Sequence, residues 1–146
     1  MELSVNIDIN AKAENVWDAL VNPEKVRQYL FGTKVSSDFK VGSPITFEGE
    51  YDGMKYKDIG KIVEYEENSL LKYSYHSSFS ELEDREENYQ LITYRVSLIS
   101  DKLLSNDNMK VNLEISQENI PNEAAKVDSE KNWSLLLEKI KEISEE

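Results

Sequence analysis

The side chains able to do chemistry in this chain are few, and most of them are phenols. Eight tyrosines stand against four phenylalanines, with one histidine and no cysteine. A buried phenol needs a hydrogen-bond partner, so a tyrosine-rich strand face suits a ligand wall better than a plain core. With a single imidazole, His76, and no thiolate, only carboxylate-rich metal sites remain. The run Glu81, Glu83, Asp84, Glu86 and Glu87 has the charge for calcium. It lacks the Asp-x-Asp-x-Asp-Gly spacing of a calcium loop, and like charges this dense belong in water. Nucleophilic catalysis has no Gly-x-Ser-x-Gly elbow, and any Ser–His–acid set would have to use His76. His76 falls on the strand face opposite Tyr73 and Tyr75 and is expected to point outward. Five glycines, each at a plausible turn or bend, provide no loop to cradle phosphate. On these grounds no catalytic residue, metal or cofactor is assigned.

The tyrosines fall on runs of period two. Leu3, Val5, Ile7 and Ile9 alternate with polar residues as a half-buried strand. Asn10 can then cap a short helix presenting Val16, Trp17 and Leu20, and Pro23 ends it and starts another, Glu24 to Leu30. Thr33 to Ser37 reads as a weak strand, and Val41-Gly42-Ser43-Pro44 as a turn. Ile45, Phe47, Gly49 and Tyr51 share a strand face, Asp52-Gly53 is a hairpin turn, and Met54 to Tyr65 is the partner strand, with a bend at Gly60. Leu71, Tyr73 and Tyr75 line the next strand. Ile92, Tyr94, Val96 and Leu98 line another, and Met109, Val111, Leu113 and Ile115 the last. An acidic loop, Ser78 to Asn88, and a polar loop, Ser100 to Asn108, connect them.

Only one stretch has a long helical period. Trp133, Leu136, Leu137, Ile140 and Ile143 recur at spacings of three and four, predicting a helix from about Asn122 to Ser144. Leu135 lies on its far side and is expected to be exposed. Followed backwards at about 100° per residue, the same face meets Ser129, Lys126 and Ala125 instead of bulky side chains. The expectation is an α+β fold, a curved antiparallel sheet of six to seven strands around a long C-terminal helix, with two short helices after the first strand. A space is then expected between the small-residue half of that helix and the ring-lined sheet. Its candidate lining is Phe47, Tyr51, Tyr73, Tyr75, Tyr94, Ala125, Ser129 and Trp133, with Phe31 near the mouth. The opposing readings remain open: tyrosines packed at the sheet's ends with wet hydroxyls, and Trp133 as plain core.

At 146 residues the chain reads as a single domain, 1–146. Seventeen basic and twenty-nine acidic residues give a net charge of −12, which repels nucleic acid and anionic membranes. No apolar run reaches membrane-spanning length, and Met-Glu-Leu-Ser-Val is not a signal peptide. The absence of cysteine fits a reducing cytoplasm. A monomer or weak dimer is expected.

An ordered set of residues carries a family resemblance. It comprises Ala13-Glu14-Asn15-Val16-Trp17-Asp18-Ala19-Leu20 with Asn22-Pro23-Glu24, Phe39-Lys40-Val41-Gly42, and Gly60 before Ile62-Val63-Glu64. Leu71-Lys72-Tyr73-Ser74-Tyr75, Ile92-Thr93-Tyr94-Arg95-Val96, and Trp133 before Leu136-Leu137 and Lys141 complete it. Over nearly its whole length the chain resembles the START-like (helix-grip, SRPBCC) superfamily, and within it the AHSA-type homologues of the chaperone ATPase activator. The resemblance implies a sheet gripping the last helix around a cavity that in many relatives takes an apolar small molecule. It carries over no catalytic residue. One departure is Tyr29-Leu30-Phe31, where many relatives have tryptophan.

Three functions follow, in order of preference. The first is non-enzymatic binding of an apolar small molecule. The second is a protein-interaction module with a chaperone as partner, although the resemblance implies that such activators use an additional domain. The third is an enzyme of the cyclase, dehydratase or hydrolase kind, against which the sparse acid–base inventory weighs.

Overall fold

Alternation of apolar and polar residues decides which way each strand faces, and the ladder shows the faces in register. The computed structural model describes residues 1–104 and 108–146. Its strands are β1 (Leu3–Ile9), β2 (Lys34–Ser37), β3 (Pro44–Tyr51), β4 (Met54–Glu66), β5 (Leu70–Tyr75), β6 (Gln90–Leu104) and β7 (Asn108–Glu118). Helices α1 (Ala13–Val21) and α2 (Pro23–Tyr29) follow β1, and α3 (Glu123–Glu145) closes the chain. The sheet is antiparallel throughout, in the order β1-β7-β6-β5-β4-β3-β2. Strands β2 to β7 form a meander of neighbours in sequence, and β1 joins it beside β7.

One face of the sheet is concave and apolar. Ile9, Val111, Leu113, Ile115, Ile92, Tyr94, Val96, Leu71, Tyr73, Ile62, Ile45 and Phe47 form a single buried cluster with Val16, Trp17 and Leu20 of α1 and Val26 and Tyr29 of α2. Leu136, Leu137 and Ile140 of α3 complete it. The helix rests on β1, α1 and α2. Leu135, on its far side, is 51% exposed, as the helical period requires.

Two local expectations need correction. Asn10 does not cap α1, whose N-cap is Lys12 without a side-chain bond. The Asn10 backbone N–H instead donates to Glu145 Oε2 at 2.8 Å and ties the start of α1 to the end of α3. The side chain that does cap is Asn22, which accepts from Glu24 N at 3.1 Å with Pro23 opening α2. The polar loop expected over Ser100 to Asn108 is shorter, because β6 runs to Leu104 and β7 begins at Asn108. Backbone pairing continues there through two register shifts, since ladder hydrogen bonds do not require apolar side chains. The remainder of that expected loop, 105–107, lies outside the described residues.

Curvature comes from two glycines of unlike kind. At Gly60 a Cβ would overlap the backbone carbonyl of Ser74 on β5. Just beyond it, the β4–β5 register shifts between Ile62 and Glu64. At Gly49 a Cβ would meet only the far end of the Tyr56 side chain, which lies across it. Gly60→Ala should therefore destabilise by about 1–3 kcal/mol, the usual range for overpacking. Gly49→Ala should cost less, because a ring can swing where a backbone cannot. Urea midpoints of the two variants measure the difference, and a Gly60→Ala protein as stable as the parent would refute this source of curvature.

Candidate functional site

Five of the residues singled out by sequence meet as one aromatic wall on the concave face. Neighbouring strands in register bring Tyr73 beside Ile92 and Phe47 opposite Asp58. The Phe47 ring lies 5.7 Å from Tyr73 and 5.8 Å from Tyr75. Tyr73 meets Tyr94 edge-on at 5.5 Å, and Tyr94 meets Trp133 of α3 edge-on at 6.0 Å. These edge-to-face contacts set the positive rim of one ring against the negative face of the next.

The polar ends of the wall are tied to one another. The Tyr73 and Tyr94 hydroxyls share a hydrogen bond of 2.7 Å. Tyr75 donates to the Asp58 carboxylate, which also accepts from Ser78 N at 2.8 Å and Ser78 Oγ at 3.1 Å. Trp133 Nε1 donates to Gln117 Oε1 at 2.7 Å, and the Gln117 amide donates to Gln90. Tyr29, at the α2 end, donates to the Leu20 carbonyl at 3.1 Å. Among the described residues no buried side-chain nitrogen or oxygen lacks a partner. The wall is thus satisfied from within.

The other candidates are placed differently. Ala125 and Ser129 lie half-buried on the face of α3 that carries Trp133. Phe31, in the turn after α2, is 69% exposed, with the Lys139 ammonium 5.0 Å from its ring centre. Tyr51 does not belong to the wall: it ends β3 and is 72% exposed. Its strand phase is right, but phase says which face a side chain takes and not how far the covering helices reach. A small void of about 10 Å³ lies instead towards α1, α2 and β2, bordered by Leu20, Val26, Tyr29, Val35, Phe47 and Tyr73 among others. That volume holds about one water. Three polar members, Asp58, Gln90 and Gln117, were missed in the sequence. Gln117 continues the inward phase of Val111, Leu113 and Ile115, and Asp58 shares the phase of Ile62. A polar residue in an apolar phase was the available signal. His76 stacks on Tyr89 at 5.1 Å.

Burial sets the protonation of the wall. It pushes the Tyr73 and Tyr29 phenols well above their ordinary value and Tyr94 up to about 12. Tyr75 is raised first by burial and then by the Asp58 charge. All four remain neutral hydrogen-bond donors at physiological pH. An unfolded phenol ionises near pH 10 while a buried one resists, so these groups leave stability unchanged below about pH 10. Above it, stability falls as pH rises towards the folded values. In an absorbance titration of tyrosinate, these four should ionise only as the near-UV circular dichroism collapses. Ionisation of all eight tyrosines below about pH 11 with that signal intact would contradict the buried wall.

A solution structure of a protein from Cytophaga hutchinsonii is 38% identical, with a TM-score of 0.79 over 97% of this chain and 91% of that one. An HSP90 activator from Plasmodium falciparum shares the fold at 17% identity, with a TM-score of 0.72 over 98% of this chain and 95% of its own. The Aha1 dimer from Colwellia psychrerythraea does so at 15% identity and a TM-score of 0.68, over 99% and 96% of the two chains. No curated protein matches the sequence. The family described as activator of Hsp90 ATPase homolog 1-like protein matches residues 10–145. With that match spanning nearly the whole sheet and all of α3, the chain belongs to the activator of Hsp90 ATPase homolog 1-like family.

Proposed function

We propose that the protein is a non-catalytic binder of a small, largely apolar molecule, held between the first half of α3 and the aromatic wall. The observation that supports this is an asymmetry within α3. Its fully buried residues begin at Leu136, whereas Ala125, Ser129 and Trp133 are only half-buried, with Trp133 against the Tyr94 ring. Small-molecule sites occupy about 300–1,000 Å³, far more than the void of about 10 Å³. Entry therefore requires the first half of α3 to lift. That movement would part Trp133 from Tyr94 and from its Gln117 hydrogen bond, which ligand contacts would have to replace. The proposed lining is the wall with Ala125 and Ser129, and Phe31 stands at the mouth. Neutral phenols would donate to a carbonyl or hydroxyl on the ligand. A chain without cysteine suits a reducing cytoplasm, the compartment we propose.

A neutral lipophilic fluorophore such as Nile red should bind and be displaced by unlabelled lipophiles. Ser129→Leu should weaken binding at least about tenfold, or about 1.4 kcal/mol, and leave the melting temperature unchanged. Absence of binding, or binding indifferent to Ser129→Leu, would sink this reading.

The family itself supports a second reading, partner binding, since one relative of the same fold is named as an HSP90 activator. An Hsp90-type chaperone from the same host should then hydrolyse ATP severalfold faster when the protein is added. An unchanged rate across a concentration series would dismiss chaperone activation.

A further inference from the structure

The β3–β4 hairpin has two unlike faces. On its convex side the ladder pairs Glu48 with Lys57 and Glu50 with Lys55, and Lys57 Nζ lies 3.5 Å from Glu48 Oε1. On its concave side the same ladder places Gly49 opposite Tyr56 and Tyr51 opposite Met54. These positions continue the apolar lining of Ile45 and Phe47 outward, past the end of the core. The Tyr56 ring covers Gly49, its hydroxyl bonds to Thr33, and Phe79 packs on it at 5.6 Å. Nothing among the described residues covers the rest: Tyr51 is 72%, Met54 62% and Phe79 52% exposed. An antiparallel pair with opposite charges on one side and exposed apolar side chains on the other has the pattern of a sheet covered on one face.

The charge of the segment joined to this face is one-sided. The segment after β5 is anchored to the hairpin by Ser78, which donates to Asp58, and by Phe79 against Tyr56. It then presents Glu81, Glu83, Asp84, Glu86 and Glu87 against one cation, Arg85. That arginine is already engaged, at 2.7 Å from Glu83 and 3.7 Å from Glu87. A second copy of the chain carries the same net charge of −12 and would be repelled, as would an anionic membrane.

We infer that the concave face of the β3–β4 hairpin is a docking surface for a cationic protein segment carrying an apolar side chain. Lysines or arginines of the segment meet the acidic loop, which selects the sign of the partner and speeds encounter. Its apolar side chain lies on Tyr51 and Met54, an aromatic and a flexible thioether of the kind that adapts to a partner's shape. The inference rests on the partner-binding reading and adds to it a place on the fold and a partner chemistry.

Fluorescence anisotropy with a labelled peptide of alternating lysine and leucine tests it directly. The peptide should bind, and affinity should fall steeply between about 50 and 300 mM salt. The double variant Tyr51→Ser, Met54→Ser should lose at least about tenfold in affinity with its melting temperature unchanged, since both side chains are exposed. The triple variant Glu83→Gln, Glu86→Gln, Glu87→Gln should lose a similar factor and flatten the salt dependence. Three results overturn the inference: equal binding of a lysine–serine peptide, unchanged affinity in the double variant, or dimers in sedimentation that Tyr51→Ser abolishes. If the double variant still stimulates a chaperone ATPase fully, partner binding stands and the hairpin is not its site.

Discussion

Where β4 passes β5, the chain makes a contact that no side chain could share. Gly60 brings its Cα against the Ser74 carbonyl, and the ladder slips by a residue shortly afterwards. That close approach bends the sheet, and the bend creates the trough in which Leu136, Leu137 and Ile140 are seated. Twist alone would give a saddle; a bulge beside a glycine turns it into a grip. The helices then have one place to bury their apolar stripes, and the termini follow. The backbones of Met1 and Ile120 pair, and Asn10 reaches Glu145.

Inside the trough the protein tolerates more polarity than stability alone would favour. A carboxylate, two amides and several phenols lie within or beside the core, each needing a partner at a cost when one is missing. The pairing is reciprocal: Tyr73 with Tyr94, Tyr75 with Asp58, Trp133 with Gln117 and Gln117 with Gln90. Such a network specifies one arrangement of strands and helix, because any slip orphans a buried group. It also means that a ligand entering the wall must replace a bond already made. Selectivity for molecules with a well-placed acceptor would follow from that competition.

The charges are sorted in the same spirit. On the convex face, cross-strand pairs such as Lys72 with Glu118 and Arg95 with Glu114 stand 3.9 to 4.0 Å apart, close enough to neutralise the ladder and too exposed to add much stability. The densest negative charge gathers instead at the segment after β5, where five acidic residues stand against Arg85. The molecule therefore presents a balanced back and an acidic open end, next to the one apolar strand face that leaves the core.

Period-two runs, the Asp52-Gly53 turn and the single long helical stripe determined the class of fold, the inward strand phases and the buried face of α3, because these depend on near neighbours along the chain. The aromatic wall was legible for the same reason, as Phe47, Tyr73, Tyr75 and Tyr94 each sit in phase with aliphatic residues of their own strand. What the chain could not show locally was extent. Tyr51 has the phase of Phe47 but lies beyond the helices' reach, and whether the space above Ala125 and Ser129 stays open or nearly closes depends on where α3 rests on β1 and α1. Partners of buried polar groups were hidden as well: Asp58 and Tyr75 are 17 residues apart, and Trp133 and Gln117 are 16. Only the tertiary structure decides such matters, because the distance between elements is set by the summed packing of all their side chains and by none of them singly.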